Sequence, residues 1–169
     1  ASDVYKRQLF EYVKLDSEGF SLDRKETDLS ELLRENAALI YADFEDAGME
    51  FEIDIPEEVV SVSVDSIQFS RVITNLLNNA IEACEKCSGK KFMKMKLVKE
   101  KDNIIISVKN TYDGKLNIKD GEIQTSKKYE MDEHGVGIKN IIEVITKYQG
   151  SYAIRNDNNE FYFSVILPN

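Results

Sequence analysis

Apolar and polar residues alternate along "MEFEIDIP" (49–56), the pattern of a half-buried strand, and the alternation stops at Pro56. "FMKMKLVKE" and "NIIISVKN" carry the same period on either side of a Lys-Asp-Asn turn, which predicts a hairpin. "SYAIRND" and "EFYFSVILP" predict a second, terminal hairpin around Asn158 and Asn159. "FSLDRKE" reads as a short edge strand and "VVSVSV" as another short one. Elsewhere the period is helical. Residues 5–16, "YKRQLFEYVKLD", gather Leu9, Val13 and Phe10 on one side without a partner of their own, as the end of a longer upstream helix would. Asp28, with Glu31 three residues on, caps a helix running to Ala47, where Gly48 ends it. Asp65, with Gln68 three residues on, caps the next. "HGVGIKNIIEVITKYQG" predicts a helix with a glycine-rich start before it, apolar residues at 138, 141, 142, 145 and 148, and a stop at Gly150. Between them, 111–134 is polar and aperiodic, with the length of a functional lid or a disordered segment. Helices and hairpins on one core imply a two-layer α/β sandwich: a mixed, mostly antiparallel sheet with helices on one face.

Composition narrows this picture. The chain's 169 residues suit one domain with a real core, and no apolar run reaches membrane-spanning length. "ASDVYKRQLFEY" has neither the apolar core nor the small-residue cleavage site of a secretory leader. A net charge of −9, from 31 acidic and 22 basic residues, argues against nucleic acid as a partner. An anionic ligand would therefore need local donors or a cation. Cys84 and Cys87 could form a metal or redox pair. With no second cysteine or histidine pair to complete a zinc site, small buried thiols are the preferred reading.

Candidate chemistry concentrates in two places. In "RVITNLLNNAIEAC" (71–84), Phe69, Ile73, Leu76, Leu77, Ala80 and Cys84 share one helix face. Gln68, Arg71, Asn75, Asn79 and Glu82 fall on the opposite one, with Asn78 at its edge. This could be a merely solvated face. Glu, Lys and Gln would serve that purpose better, because asparagine is a mediocre helix former. Asn75 and Asn79, four apart, stack neutral amide oxygens that can ligate Mg²⁺ while tolerating phosphates beside it. The second place is "HGVGI", where glycines let backbone N–H groups approach phosphate oxygens at a helix start. Alone that signal is weak; the long polar stretch upstream, able to fold over a ligand, adds to it. Lys127 and Lys128 either approach phosphates or are simply solvated. His134, the only histidine, supports the turn or touches a phosphate rather than accepting one.

These segments together resemble the ATP-binding domain shared by sensor histidine kinases, type II topoisomerases, Hsp90 chaperones and MutL proteins, the Bergerat-type fold. "NLLNNAIEA" resembles the asparagine box, "IIISVKN" the strand ending in the first glycine box, and "HGVGIKNIIEVITKYQG" the second glycine box with its helix. "FYFSVILP" resembles the terminal strand, and order and spacing agree over roughly 28–168. Within the group the chain is most similar to sensor histidine kinases, and "SKKYEMDEHGVGI" to the variant in quorum-sensing receptor kinases. The resemblance implies that 1–18 end a dimerization helix and linker and that 19–169 form the ATP-binding catalytic domain. It further implies ATP and Mg²⁺ as cofactors, with Asn79 as the Mg²⁺ ligand and Asn75 a phosphate-side neighbour and the one catalytic candidate. Asn110 would stand where an aspartate usually reads the adenine amino group. His134, Gly135, Val136, Gly137 and Ile138 would line the phosphates, with Lys127 and Lys128 from the lid.

The implied partners are a dimerization and phosphoacceptor domain and a response regulator, in the cytoplasmic part of a membrane-bound sensor, with no membrane contact by this stretch. The γ-phosphate would pass to a histidine outside this sequence. Several positions depart from the usual pattern. Asn110 replaces an aspartate, "TYDGK" lacks the D-x-G-x-G signature, and Phe161 stands where a threonine is common. Glu82 and Ala83 replace a lysine and an aromatic. Three other functions remain in view. They are a nucleotide-binding pseudokinase, an anti-sigma-factor-type serine kinase, which "LFEYVKL" argues against, and a MutL-like ATPase clamp, which would carry an acidic residue at position 75.

Overall fold

The structure is a computed structural model that describes residues 21–113, 117–119, 122–124 and 133–169, without the side chains of 114–137. The expected helix over 5–16 and the assignment of 1–18 to a dimerization helix and linker lie outside the described residues. A five-stranded sheet runs in the order β2 (Glu50–Asp54), β4 (Phe92–Lys99), β5 (Asn103–Thr111), β9 (Glu160–Pro168), β8 (Ser151–Asp157). β2 lies parallel to β4, and every other neighbour pair is antiparallel. Three helices, α1 (Leu29–Asp46), α2 (Ser66–Glu85) and α3 (Glu133–Lys147), cover one face. The alternation read from the sequence supplies the inner face: Met93, Met95 and Leu97, then Ile104, Ile106 and Val108, then Phe163, Val165 and Leu167 are all buried. Each contributes about 1.5–3 kcal/mol of hydrophobic stabilisation. On the open face, Glu52, Lys94, Lys109, Tyr162 and Arg155 form one cross-strand row. Lys94 reaches Glu52 at 2.8 Å, and Lys109 lies 5.1 and 5.6 Å from the ring centres of Phe92 and Tyr162.

Three expectations are corrected. β1 (Lys25–Asp28) is not an edge of the main sheet: it pairs only with β3 (Ser61–Val64) in a separate two-stranded ribbon. The reason is Asp28, whose Oδ1 accepts from Ser30 N at 3.1 Å, capping α1, and from Val60 N at 3.3 Å. The strand therefore turns directly into the helix. The polar stretch after Thr111 contains two short antiparallel strands, β6 (Asn117–Lys119) and β7 (Glu122–Gln124). Finally, α3 ends at Lys147, and the left-handed residue after it is Gln149 (φ 59°), not Gly150. Gly150 is needed for space, since a Cβ there would lie 2.8 Å from both Ile145 Cγ2 and the Ile166 carbonyl oxygen. The predicted turn at Asn158 and Asn159 has both residues at positive φ, as a tight hairpin requires.

Asp65 ties together three parts of the chain. Its Oδ1 accepts from Ile67 N and Gln68 N, each at 3.1 Å, closing the first turn of α2. Its Oδ2 accepts from Asp23 N at 3.0 Å, upstream of β1. Its own N–H donates to Tyr148 Oη at 2.9 Å, just past the end of α3. Arg24 lies over the Tyr148 ring at 5.1 Å and donates to Ser63 O at 3.2 Å. Replacing Asp65 with alanine is expected to lower the unfolding free energy by about 1–2 kcal/mol, whereas asparagine, which also caps, loses much less. Urea titration reads this as a lower midpoint at unchanged slope. An alanine variant with the wild-type midpoint would mean that the cap does not hold the start of α2.

Candidate functional site

The polar stripe of α2 is not a solvated face. Asn75 is only 8% exposed and Gln68 is buried, while Arg71, Asn78, Asn79 and Glu82 are half-buried. α3 packs against α2: Tyr148 meets Phe69 edge-on at 5.9 Å between ring centres and accepts from the Asp65 N–H. With the last turn of α3 fixed beside the first turn of α2, the start of α3 lies alongside the asparagine-bearing half of α2. Twelve residues back from Tyr148 and twelve on from Ile67 bring Val136 level with Asn79. The two sequence signals, far apart in the chain, thus lie toward the same end of the helix pair.

Glu133 begins α3, so Gly135 and Gly137 lie in its first turns and not ahead of it. Backbone N–H groups in a first turn have no carbonyl partner within the helix, so they remain available as donors to an anion. His134 and Val136 share this backbone, but their side chains lie outside the description, as Lys127 and Lys128 do entirely. Ile138 is half-buried and packs on the core.

Asn110 ends the inner face of β5 at 1% exposure. Its Nδ2 donates to Thr111 O at 2.9 Å, which leaves Oδ1 as an acceptor without a partner among the described residues. Cys84, from the last turn of α2, points its Sγ at the same carbonyl at 3.4 Å. Phe161 is directly opposite Asn110 on β9, and its ring lies 6.0 Å from that of Tyr112. Sequence reasoning placed Phe161 only as a departure and missed Tyr112 and the Cys84 contact. The Asn158–Asn159 turn fixes Phe161 only against Asn156 of β8; its place beside Asn110 comes from the long-range β5–β9 pairing, for which the sequence carries no local signal. Both cysteines are free and buried, as expected.

This donor set suits a magnesium nucleotide. Among the described residues no group of three or more His, Cys, Asp or Glu could cage a metal. Magnesium often takes few protein ligands and fills its shell with water and substrate phosphates. Asn79, half-buried and without a side-chain partner among the described residues, offers a neutral oxygen for that purpose. Asn110 offers a buried acceptor for a base.

The GHKL domain family matches residues 64–168, and the chain belongs to that family, which makes it a nucleotide-binding domain. Over 66 residues it is 32% identical to sensor histidine kinase MtrB of Mycolicibacterium paratuberculosis, a match covering 39% of this chain and 11% of that protein. The catalytic domain of histidine kinase ThkA superimposes with a TM-score of 0.72 at 21% identity, over 86% of this chain and 95% of that one. ThkA solved with the response regulator protein TrrA gives 0.75 at 22% identity, over 98% of this chain and 46% of that one. These similarities establish the fold. Among the described residues no helix is long and apolar enough to cross a membrane.

Burial, with Cys87 adding to it, pushes the Cys84 thiol up from 9.0 to about 11. Burial likewise pushes Tyr148 up to about 12. Between pH 9 and 11 the folded chain keeps a Cys84 proton that the unfolded chain releases. The corresponding stability is intact below pH 9 and is lost as pH rises toward 11. Urea midpoints from pH 8 to 11 are expected to fall more steeply in wild type than in Cys84→Ala. Parallel curves would mean that the thiol titrates normally in the fold.

Proposed function

We propose that this chain is the ATP- and Mg²⁺-binding catalytic domain of a two-component sensor histidine kinase. Two features support the proposal, one on the helix pair and one at the end of β5. One is a pair of amides stacked a turn apart, Asn75 and Asn79, on the half of α2 that lies toward the glycine-bearing start of α3. The other is the uncommitted acceptor of Asn110 at the end of β5. Asn79 would ligate Mg²⁺, with Asn75 beside the phosphates. Gly135, Val136, Gly137 and Ile138 would hold the phosphates, aided by His134, Lys127 and Lys128. Asn110 would accept from the adenine amino group. Bound Mg²⁺ would neutralise phosphate charge, and the chain's own contribution is positioning. The phosphoryl acceptor is then a histidine of a dimerization domain, and a response regulator follows as partner; ThkA solved with TrrA supports that reading. The similarity to sensor histidine kinase MtrB supports the sensor reading, under which this would be the cytoplasmic domain of a membrane-bound protein.

A non-catalytic nucleotide sensor is the second reading, favoured by Asn110 and Phe161 at the base end. Calorimetric titration with ATP, ADP and GTP, with and without Mg²⁺, tests nucleotide choice. Transfer of label from ATP to a supplied dimerization domain then separates kinase from sensor. Binding is expected to be magnesium-dependent and adenine-selective. Asn79→Ala should abolish magnesium-dependent binding while leaving the melting temperature nearly unchanged. Wild-type affinity in that variant would remove Asn79 from the metal, and no label transfer would leave the sensor reading.

A further inference from the structure

Of the three asparagines buried on the helices among the described residues, Asn36 and Asn140 have different surroundings. Asn36 donates to Leu32 O at 2.8 Å and to Ser70 Oγ at 3.2 Å, joining α1 to α2. Asn140, on α3 and only 2% exposed, has no hydrogen-bond partner for its amide among the described residues. Buried amides are nearly always paired, because an unpaired one gives up water for nothing. Leucine has similar size, a better helix propensity and no polar group to leave unsatisfied. The core alone therefore gives no reason for an asparagine at this position.

Its location supplies one. Asn140, Val144 and Tyr148 follow one another at a spacing of four, so they form one line along α3. Tyr148 ends that line against Phe69 and Asp65 of α2. Ile145, on a neighbouring line, faces the sheet, where its Cγ2 and Leu167 Cδ2 crowd Gly150. The line of Asn140 is therefore the one on the α2 side. Two turns back from Tyr148, about 12 Å along the axis, Asn140 comes level with Asn75. Gly137 precedes it by less than one turn.

We propose that Asn140 is a positioning residue for the nucleotide phosphates, whose buried amide hydrogen-bonds Asn75, directly or through one ordered water, once nucleotide is bound. Asn75 already has an interaction of its own. An amide offers two donors and two lone pairs, so it can take a further bond. This inference rests on the nucleotide-binding reading above. It goes beyond it in assigning to α3 a side chain that orients the asparagine pair, in addition to backbone donors.

The test is Asn140→Leu in the 169-residue chain, alone and combined with Asn75→Ala, by thermal melting and by Mg-ATP calorimetry. Asn140→Leu is expected to melt at or above the wild-type temperature, since it removes a buried amide with no partner among the described residues, yet to bind Mg-ATP on the order of tenfold more weakly. In the Asn75→Ala background the leucine should cause little further loss, because the two side chains act as one unit. Wild-type affinity in Asn140→Leu, additive losses in the double variant, or a lower melting temperature with unchanged affinity would each overturn the proposal. Absence of Mg-ATP binding by the wild-type chain would overturn the nucleotide reading itself, and this inference with it.

Discussion

The geometry of this domain depends on how Asp65 is tied. One carboxylate closes the first turn of α2 and holds the chain upstream of β1, while the same residue's N–H fixes Tyr148 at the end of α3. A helix pair joined at one end by a buried hydrogen bond and an aromatic contact can slide little, because its packed side chains interlock. The far end of the pair, with the asparagines of α2 and the glycines of α3, inherits that register. Asp23 and Arg24 reach the same knot. A displacement of the chain upstream of β1 would therefore be felt by both helices at once.

α2 has to be core and site simultaneously, and asparagine resolves the conflict. Val72, Ile73, Leu76, Leu77 and Ala80 fill the apolar interior, and position 75 beside them is enclosed as well, while Arg71 and Glu82 are only half-buried. Asn75, at 8% exposure, could not be glutamate or lysine without a large desolvation penalty. A neutral amide carries polarity into that enclosure, and helix propensity is the smaller loss. A local choice that contradicts the element around it is where function is to be expected.

Much of this was legible in the sequence, because caps, turns and alternation are local. Asp28, Asp65 and the Asn158–Asn159 turn each act within a few residues, and each does what its type predicts. Pairing between distant segments was not legible. Nothing in "FSLDRKE" says that its strand leaves the sheet, or in "MEFEIDIP" that it lies parallel to β4. Periodicity put Asn75 opposite the core, yet it is buried, because a helical wheel does not know that a second helix arrives on that side. Asn140 was hidden for the same reason. In sequence it is one polar residue in an amphipathic helix, and only burial distinguishes it.

On the proposed reading, position 110 would keep the role of the usual aspartate by different means. An aspartate at position 110, at 1% exposure, would be an ionised group in a poor solvent, raised in pKa unless donors surround it. Asparagine avoids that penalty but brings a donor that must be satisfied, and Thr111 O satisfies it at 2.9 Å. That bond also orients the amide, so the remaining oxygen can only accept. A base presenting an amino group suits such an acceptor, and one presenting a carbonyl there does not. Phe161, set opposite by the β5–β9 register, adds an apolar side chain beside it. Base selectivity would then come from one amide oxygen held in a fixed direction by its bond to the backbone of β5, without any charged group.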